Sequence, residues 1–215
     1  MLTVVVGAGP GMGMALARRF GAAGQVALVV RRLAAGEALV EELAGQGVVG
    51  QAYAADIGDE ASLRDAFASI REAQGDPDVV LVNASVGAGG RPAEVAVADL
   101  RSAFDVGVVG AVVAYQEALP GMLARGSGTF LVTGSGVALN PWAGGTAVTL
   151  AKTAVRAFVL AAAQDTLGTG VHVATVTVAG VLGSSGFEPD AVAERFWELH
   201  AQPAGSWDTE LVHRG

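Results

Sequence analysis

The chain has 215 residues, 52% of them hydrophobic and 16% charged, which is enough for one α/β domain with a large core. It contains no cysteine, which excludes disulfides and thiolate metal sites, and its three histidines are too far apart in the sequence to suggest a metal site. The formal net charge of −8 argues against general nucleic-acid binding, so we expect a small-molecule partner.

No stretch of the sequence has the composition of a linker, so residues 1–215 are predicted to form a single domain. The apolar runs are broken by Gly, Arg or Asp before they reach the roughly 20 residues that span a bilayer. Met1-Leu2-Thr3 enters the first predicted strand directly, which leaves no room for a signal peptide. We therefore expect a soluble, cytoplasmic protein that does not bind membranes.

Apolar runs rich in β-branched residues alternate along the chain with segments of helical periodicity. The predicted strands are Leu2–Val6, Val26–Val30, Val48–Ala54, Val79–Val82, Thr129–Thr133 and Val171–Val178. The predicted helices are Met12–Ala22, Leu33–Ala44, Glu60–Ala73, Ala98–Ala124, Ala147–Leu167 and Asp190–Leu199, with Asp59 and Asp190 as candidate N-caps. This alternation predicts a Rossmann-like, doubly wound parallel sheet with helices on both faces. Its ligand crevice is expected at the carboxyl ends of the strands.

The first strand runs directly into the glycine-rich turn Gly7-Ala8-Gly9-Pro10-Gly11-Met12-Gly13. Glycines let the backbone turn tightly and approach a pyrophosphate, whose charge is favoured by the N–H groups at the start of the next helix. The turn therefore predicts dinucleotide binding by residues 7 and 9–13. Because the chain contains 31 glycines, an ordinary βα turn is the competing interpretation.

Arg31 and Arg32 follow the second strand, about 20 residues beyond the turn, where an acidic residue would bind the ribose hydroxyl of NAD. Two guanidinium groups would instead bind a 2′-phosphate bidentately, which favours NADP(H) over NAD(H). The alternative is a pair of solvated arginines that open a surface helix.

Two further strand ends carry candidate cofactor contacts. After the third strand, the Asp56 carboxylate could accept from an adenine amino group while Ile57 packs on the ring. After the fourth strand, Asn83-Ala84-Ser85 combines small residues with an amide that can bond the neighbouring strand. Taken singly, these segments predict only a helix cap and a turn.

Together these motifs resemble the short-chain dehydrogenase/reductase family from Leu2 to about Ser185. The matching elements are Gly7-x-x-x-Gly11-x-Gly13, Asp56, Asp78-Val-Val-Leu-Val-Asn83-Ala84, Ser135, Lys152 and Val178-Ala179-Gly180; Val82, Ser85 and Ala179 depart from the usual pattern. The resemblance implies an NADP(H)-dependent oxidoreductase whose cofactor also contacts Lys152, Gly180 and Leu182. It also implies a homodimer or homotetramer that pairs through the helix carrying the apolar run 154–163.

Ser135 and Lys152 match two of the groups that the family associates with hydride transfer, and Lys152 is the only lysine in the chain. The family's tyrosine position is occupied by Val148 and its helix-four asparagine position by Gly107. The phenol is the family's general acid/base, so both proton-handling groups are absent. Ser135 and Lys152 are therefore the candidate catalytic residues.

Three replacements for the phenol are conceivable: Thr149 beside the lost position, Ser135 acting with an ordered water, and His200 from the C-terminal segment. Thr149 points about 100° away around the helix, and His200 fits a surface or capping role as well. The two tyrosines, Tyr53 and Tyr115, are predicted to lie in the core.

Residues 186–215 depart most from the family and are expected to form a divergent segment on the substrate side. We predict a helix over Asp190–His200 and an edge strand at Leu211–Val212. Trp197 and Trp207 either line an apolar substrate pocket with Trp142 and Met122, or seal the core and an oligomer interface.

Three functions remain open from the sequence. The first is a short-chain dehydrogenase/reductase relative that reduces an apolar carbonyl compound by an altered proton route or has lost the reaction. The second is a non-catalytic dinucleotide-binding protein. The third is a non-redox enzyme, such as an isomerase or cyclase, that uses the same pocket.

Overall fold

The computed structural model describes residues 1–87 and 89–215. Its centre is a seven-stranded, all-parallel sheet in the order β3-β2-β1-β4-β5-β6-β7. The strands are β1 (Leu2–Val6), β2 (Gln25–Val30), β3 (Val49–Ala54), β4 (Val79–Val82), β5 (Gly128–Ser135), β6 (Val171–Val178) and β7 (Glu210–His213). The helices are α1 (Met12–Gly21), α2 (Leu33–Ala44), α3 (Glu60–Gln74), α4 (Val97–Phe104), α5 (Gly110–Arg125), α6 (Thr146–Asp165) and α7 (Pro189–His200).

The Rossmann-like, doubly wound fold predicted from the sequence is confirmed. Strand order runs outward in both directions from the pair β1 and β4, so the topological switch point lies between these two strands. The central strands β1, β4 and β6 are buried at every residue, which explains their continuous apolar runs, whereas β3 at the sheet edge alternates in exposure. The predicted edge strand at Leu211–Val212 is confirmed as part of β7.

The predicted helix Ala98–Ala124 is interrupted. Between α4 and α5 lies a π-helical turn, Asp105–Val109, in which the Gly110 N–H donates to the Asp105 carbonyl five residues back. Gly107 in this turn is buried, and Gly110 lies so close to Ile57 that a Cβ there would be 2.8 Å from the Ile57 carbonyl oxygen. Gly110 allows this close approach, and the extra residue in the turn shifts the helical register.

One of the two predicted N-caps is confirmed and the other is wrong. The Asp59 carboxylate accepts from the Ser62 N–H at 2.9 Å and caps α3. Asp190 lies inside the first turn of α7, because the helix begins one residue earlier at Pro189. Its carboxylate instead pairs with Arg18 of α1 at 2.6 Å, which helps to hold α7 against α1.

Among the described residues, α6 is the one helix long and apolar enough to cross a membrane by length and composition. It belongs to the folded core, because Val155 and Val159 are buried against the sheet. Arg156 on the same helix forms a bidentate ion pair with Glu210 of β7, at 2.8 and 2.5 Å. These contacts are those of a core helix packed against the sheet of an α/β fold.

Candidate active site

A continuous groove runs along the carboxyl ends of the strands and is formed by three adjoining clefts. The first, about 410 Å³, lies between the glycine-rich turn and the start of α2. The second, about 320 Å³, shares Ala8 and Arg31 with the first, and the third, about 220 Å³, shares Asn83 and Ser85 with the second. The groove therefore crosses the switch point between β1 and β4, where open α/β sheets bind ligands.

The glycine-rich turn leaves an open cradle at the start of the groove. Gly7 has φ +84°, a conformation that favours glycine, and a Cβ at Gly13 would lie only 2.7 Å from the Cα of Ala8. Both positions therefore require glycine. A Cβ at Gly9 or Gly11 would meet nothing within 4 Å. No side chain caps α1 and its first turn holds no acidic residue, so this helix end is free for a phosphate. These residues fit a dinucleotide pyrophosphate.

Arg31 and Arg32 lie at the first cleft, together with Ala8, Gly9 and Pro10 of the turn. Both arginines are exposed, and within residues 1–87 and 89–215 neither forms an ion pair. Their guanidinium donors are therefore available to an anion in the cleft. This placement fits the predicted 2′-phosphate site.

Asp56 and Ile57 line the middle cleft, as the adenine prediction requires. One Asp56 oxygen accepts from the Gly58 N–H at 3.0 Å, which forms a local turn after β3. The second oxygen remains for a ligand donor. The adenine contacts of these two residues stay a prediction.

A chain of hydrogen bonds connects residues at the third cleft, which we call the reaction end of the groove. Asn83 Nδ2 donates to the Gly7 carbonyl at 3.3 Å, as predicted for this amide, and Asn83 Oδ1 accepts from Thr133 Oγ1 at 3.0 Å. The Thr133 carbonyl in turn accepts from Lys152 Nζ at 2.8 Å. Sequence reasoning missed Thr133, although a threonine two residues before Ser135, at the carboxyl end of a buried strand, was a usable signal.

Lys152 lies in the third cleft with Ser135, Gly180 and Leu182. It is 7% exposed, and Nζ also approaches the Ala84 carbonyl at 3.4 Å. Burial lowers the pKa of Lys152 to about 8, because desolvation disfavours the ammonium. The sequence prediction that this single lysine is more than a solvated charge agrees with its position.

Comparisons with known proteins agree with this geometry. The family model described as "short chain dehydrogenase" matches residues 2–188. The chain belongs to the short-chain dehydrogenase family.

It is 32% identical over 189 residues to the NADP-dependent 3-hydroxy acid dehydrogenase YdfG of Salmonella typhi, covering 87% of this chain and 75% of that protein. It is 35% identical over 177 residues to meso-2,3-butanediol dehydrogenase of Serratia marcescens, covering 81% and 69%. The crystal structure of a metagenomic short-chain oxidoreductase in complex with NADP superposes with a TM-score of 0.91 at 27% identity, covering 99% of this chain and 96% of that one.

In this short-chain dehydrogenase the expected tyrosine position lies at the reaction end, where Val148 lines the third cleft. Ser135, the last residue of β5, lines the same cleft, and among the described residues its Oγ accepts only a long 3.5 Å bond from the Val137 N–H. Thr149 is turned away, since its hydroxyl is held between the N–H and carbonyl of Trp142 at 3.4 and 3.3 Å. Thr149 is therefore not available as the replacement acid.

His200 lies at the opposite end of the sheet, so the hypothesis that it replaces the phenol is wrong. Its Nδ1 is 3.0 Å from Thr129 Oγ1, near the amino end of β5. Trp207 stacks on His172 at the amino end of β6, with ring centroids 4.9 Å apart, and Met122 packs beside Gly128 at the start of β5. These aromatic and Met side chains cover the amino end of the sheet, and none of them lines the three clefts of the groove.

Residues 186–215 contribute none of the lining residues of the three clefts. His213 Nε2 is 2.7 Å from the Gly186 carbonyl, and the Phe187 ring packs against Gly180 after β6. The part between them, α7, packs on α1, and Trp197 contacts Phe20 there with centroids 5.2 Å apart. In the described part of the chain no group of three or more His, Asp or Glu side chains could hold a metal ion.

Proposed function

We propose that this chain is an NADP(H)-dependent oxidoreductase that acts on an apolar carbonyl or alcohol substrate by an atypical proton route. One observation carries the proposal. A single groove joins an unpaired arginine pair, Arg31 and Arg32, at one end to the buried Lys152 and to Ser135 at the other.

Different residues along the groove would bind different parts of the dinucleotide. The turn 7–13 and the N-terminus of α1 would hold the pyrophosphate, Arg31 and Arg32 the 2′-phosphate, and Lys152 the ribose beside the nicotinamide. Asp56 and Ile57 would bind adenine, and Asn83, Ala84, Ser85, Gly180 and Leu182 would line the remaining contact surface. When bound, the cofactor supplies or accepts a hydride. The NADP named for the Salmonella typhi dehydrogenase and for the metagenomic structure supports this cofactor.

An apolar substrate is supported by the surroundings of the reaction end. Val148, Val178 and Leu182 line the third cleft. Trp142 and Val181, which follow β5 and β6, are large apolar side chains left 59% and 75% exposed. These side chains would desolvate a substrate carbonyl beside Ser135, whose hydroxyl would donate to its oxygen.

The cofactor assignment is tested by Arg31→Ala with Arg32→Ala, with Arg101→Ala, an exposed arginine outside the groove, as the control. Each charge-assisted hydrogen bond to a phosphate is worth about 1.5–3 kcal/mol, so NADPH binding should weaken roughly 10- to 100-fold or more. NADH lacks the 2′-phosphate and should lose far less. Isothermal titration calorimetry measures both, and equal losses for NADPH and NADH would refute the 2′-phosphate site.

A second candidate, a dinucleotide-binding protein that has lost catalysis, is favoured by the residues Val148 and Gly107. The two functions are separated by Val148→Tyr combined with Gly107→Asn. A Cβ at residue 107 would meet only the Ala151 Cβ at 3.6 Å, an ordinary contact, so the backbone there tolerates a side chain. If the double variant reduces a carbonyl substrate with NADPH and the parent does not, the parent has lost the reaction.

We further propose that residues 1–215 act as one unit in the cytoplasm, and that the chain forms a homodimer or homotetramer through α5 and α6. The outward side of α6 supports the pairing, because Leu150, Ala157 and Ala161 are exposed there. Val109, the residue before α5, and Leu123 near the end of α5 are further exposed apolar side chains. A surface of this composition is typical of a helix that packs against a second subunit.

A further inference from the structure

Lys152 has one hydrogen-bond donor left over. A lysine ammonium carries three N–H donors, and Lys152 Nζ directs one at the Thr133 carbonyl (2.8 Å) and one at the Ala84 carbonyl (3.4 Å). No further acceptor lies within bonding distance of Nζ in the parts of the chain that the structure describes. The third donor belongs to the cleft that Lys152 lines with Ser135 and Val148. When a cofactor ribose takes the place of the long 3.4 Å contact to Ala84, this donor is still free for a water or a substrate oxygen.

No carboxylate neutralises this ammonium. The elements packed against α6 are α4, the π-helical turn, β5, β6 and the short 3-10 turn over Gly136–Ala138. Their charged or titratable side chains are Asp99, Arg101, Asp105 and His172, to which α6 adds Arg156 and Asp165. In addition, Glu210 of β7 pairs with Arg156, and Tyr115 of α5 contacts Phe158. None of them contributes to the lowered pKa of Lys152, whose cause is burial. Of the Asp, Glu, Lys and Arg side chains in residues 1–87 and 89–215, Lys152 alone is buried.

The other candidates at this end of the groove are poorer acids. Thr149 is held by Trp142, and the Ser135 hydroxyl has no basic or acidic side chain hydrogen-bonded to it among the described residues. An unassisted hydroxyl titrates far above neutral pH, whereas an effective general acid has a pKa near the working pH. The pKa of about 8 for Lys152 meets that condition.

Resting on the proposed function, we propose that the Lys152 ammonium is the proton donor for carbonyl reduction, in place of the phenol that Val148 cannot supply. As the hydride of the reduced nicotinamide forms the new C–H bond, the C=O π pair moves to the oxygen. That oxygen takes a proton from Nζ, directly or through one water that receives a proton from Nζ as it gives one up. Lys152 is left as a neutral amine and regains its proton from solvent, and the cofactor leaves oxidised.

The first test measures the pKa of Lys152 and requires no turnover. Because the chain contains a single lysine, protein grown on [ζ-15N]lysine has one side-chain Nζ resonance. A pH titration followed by NMR should give an apparent pKa near 8, with and without Val148→Tyr. A resonance that does not titrate below pH 10 would overturn the proposal, because the ammonium would then be no stronger an acid than a solvated lysine.

The second test compares turnover with that titration, using NADPH and 4-nitrobenzaldehyde as the probe substrate. The parent's kcat/KM should be constant below the Lys152 pKa and fall tenfold per pH unit above it. Lys152→Arg keeps a cation that does not release its proton, so turnover should fall roughly 10²- to 10⁴-fold and the inflection should vanish. Adding Val148→Tyr to Lys152→Arg should restore part of the turnover, because a phenol again supplies the proton.

The possible failures are distinguishable. Parent turnover whose pH profile does not follow the NMR titration would overturn the role of Lys152 and leave the oxidoreductase function standing. The same holds if Lys152→Arg, shown by calorimetry to bind NADPH, turns over as fast as the parent. Turnover in Val148→Tyr but none in the NADPH-bound parent would overturn the proposed active enzyme, and the role of Lys152 with it. The parent measurements require no substitution, so they decide the matter even if Lys152→Arg does not fold.

Discussion

Two glycines four residues apart in the turn after β1 should respond in opposite ways to the same substitution. In Gly13→Ala, the new Cβ would lie 2.7 Å from the Cα and 3.0 Å from the carbonyl carbon of Ala8. Both atoms are backbone, so the turn itself must move. In Gly9→Ala, the new Cβ would meet nothing within 4 Å, and the backbone at residue 9 does not have a positive φ. Adding a methyl group therefore tests the packing of the backbone at residue 13, whereas at residue 9 it tests whether a ligand occupies the adjacent space.

The expected magnitudes follow from these contacts. Overpacking a tight site costs about 1–3 kcal/mol, which for a chain of this size lowers Tm by about 2–12 °C. Gly9→Ala should stay within about 0.5 kcal/mol of the parent, as substitutions into open space do. The added methyl would instead displace the pyrophosphate from the turn. Losing a charge-assisted hydrogen bond there weakens NADPH binding by roughly 10- to 100-fold.

Thermal unfolding followed by circular dichroism and calorimetric titration with NADPH measure the two effects separately. An unchanged Tm for Gly13→Ala would refute the close approach between α1 and the turn. Unchanged NADPH affinity in Gly9→Ala would refute the inference that the cradle holds the phosphates. A Tm loss of the same size in both variants would refute the distinction between the two glycines.

Two further predictions concern α6. Arg156→Gln removes the bidentate partner that holds the pKa of Glu210 below its usual value. The variant should lose about 1 kcal/mol at pH 7, since the pair is partly exposed. Stability from an ionised Glu210 is present above pH of about 4.3 and is lost as pH falls through its folded pKa, so urea unfolding at pH 3 should show a smaller difference; an equal difference at both pH values would contradict the ion pair's role. Ala157→Glu places a charge on the proposed pairing surface and should lower the mass measured by sedimentation velocity, whereas Ala68→Glu, an exposed alanine of α3, should not.

The order and type of the elements could be predicted because local pattern and tertiary position agree. The runs Leu2–Val6 and Val171–Val178 are apolar or β-branched throughout because both faces of those strands are covered by helices. The π-helical turn at Asp105–Val109 could not be predicted, because it depends on the contact between Gly110 and Ile57, which lie far apart in the sequence. The position of Asp190 was missed for a similar reason, since its partner Arg18 is on another helix.

The candidate site was predictable where chemistry follows directly from a strand end. The turn at Gly7–Gly13, the arginines after β2 and Asn83 after β4 all line the groove, because parallel strands bring their carboxyl ends to one edge. Which end of the sheet a later segment reaches was not predictable. His200 and Trp207 lie at the amino ends because α7 runs along α1 away from the groove before β7 returns. Only the tertiary path of the chain determines that placement.

The two ends of the groove are formed by opposite halves of the sheet. The arginine end depends on β1, β2 and α2, whereas the lysine end depends on β5, β6 and α6, and the two meet at Asn83–Ser85 after β4. If the proposed function holds, coenzyme preference and chemistry depend on separate segments of this chain. Substitutions in residues 31–39 should then change the coenzyme preference, and substitutions in residues 135–152 should change the chemistry. We expect each set of substitutions to have little effect on the other property.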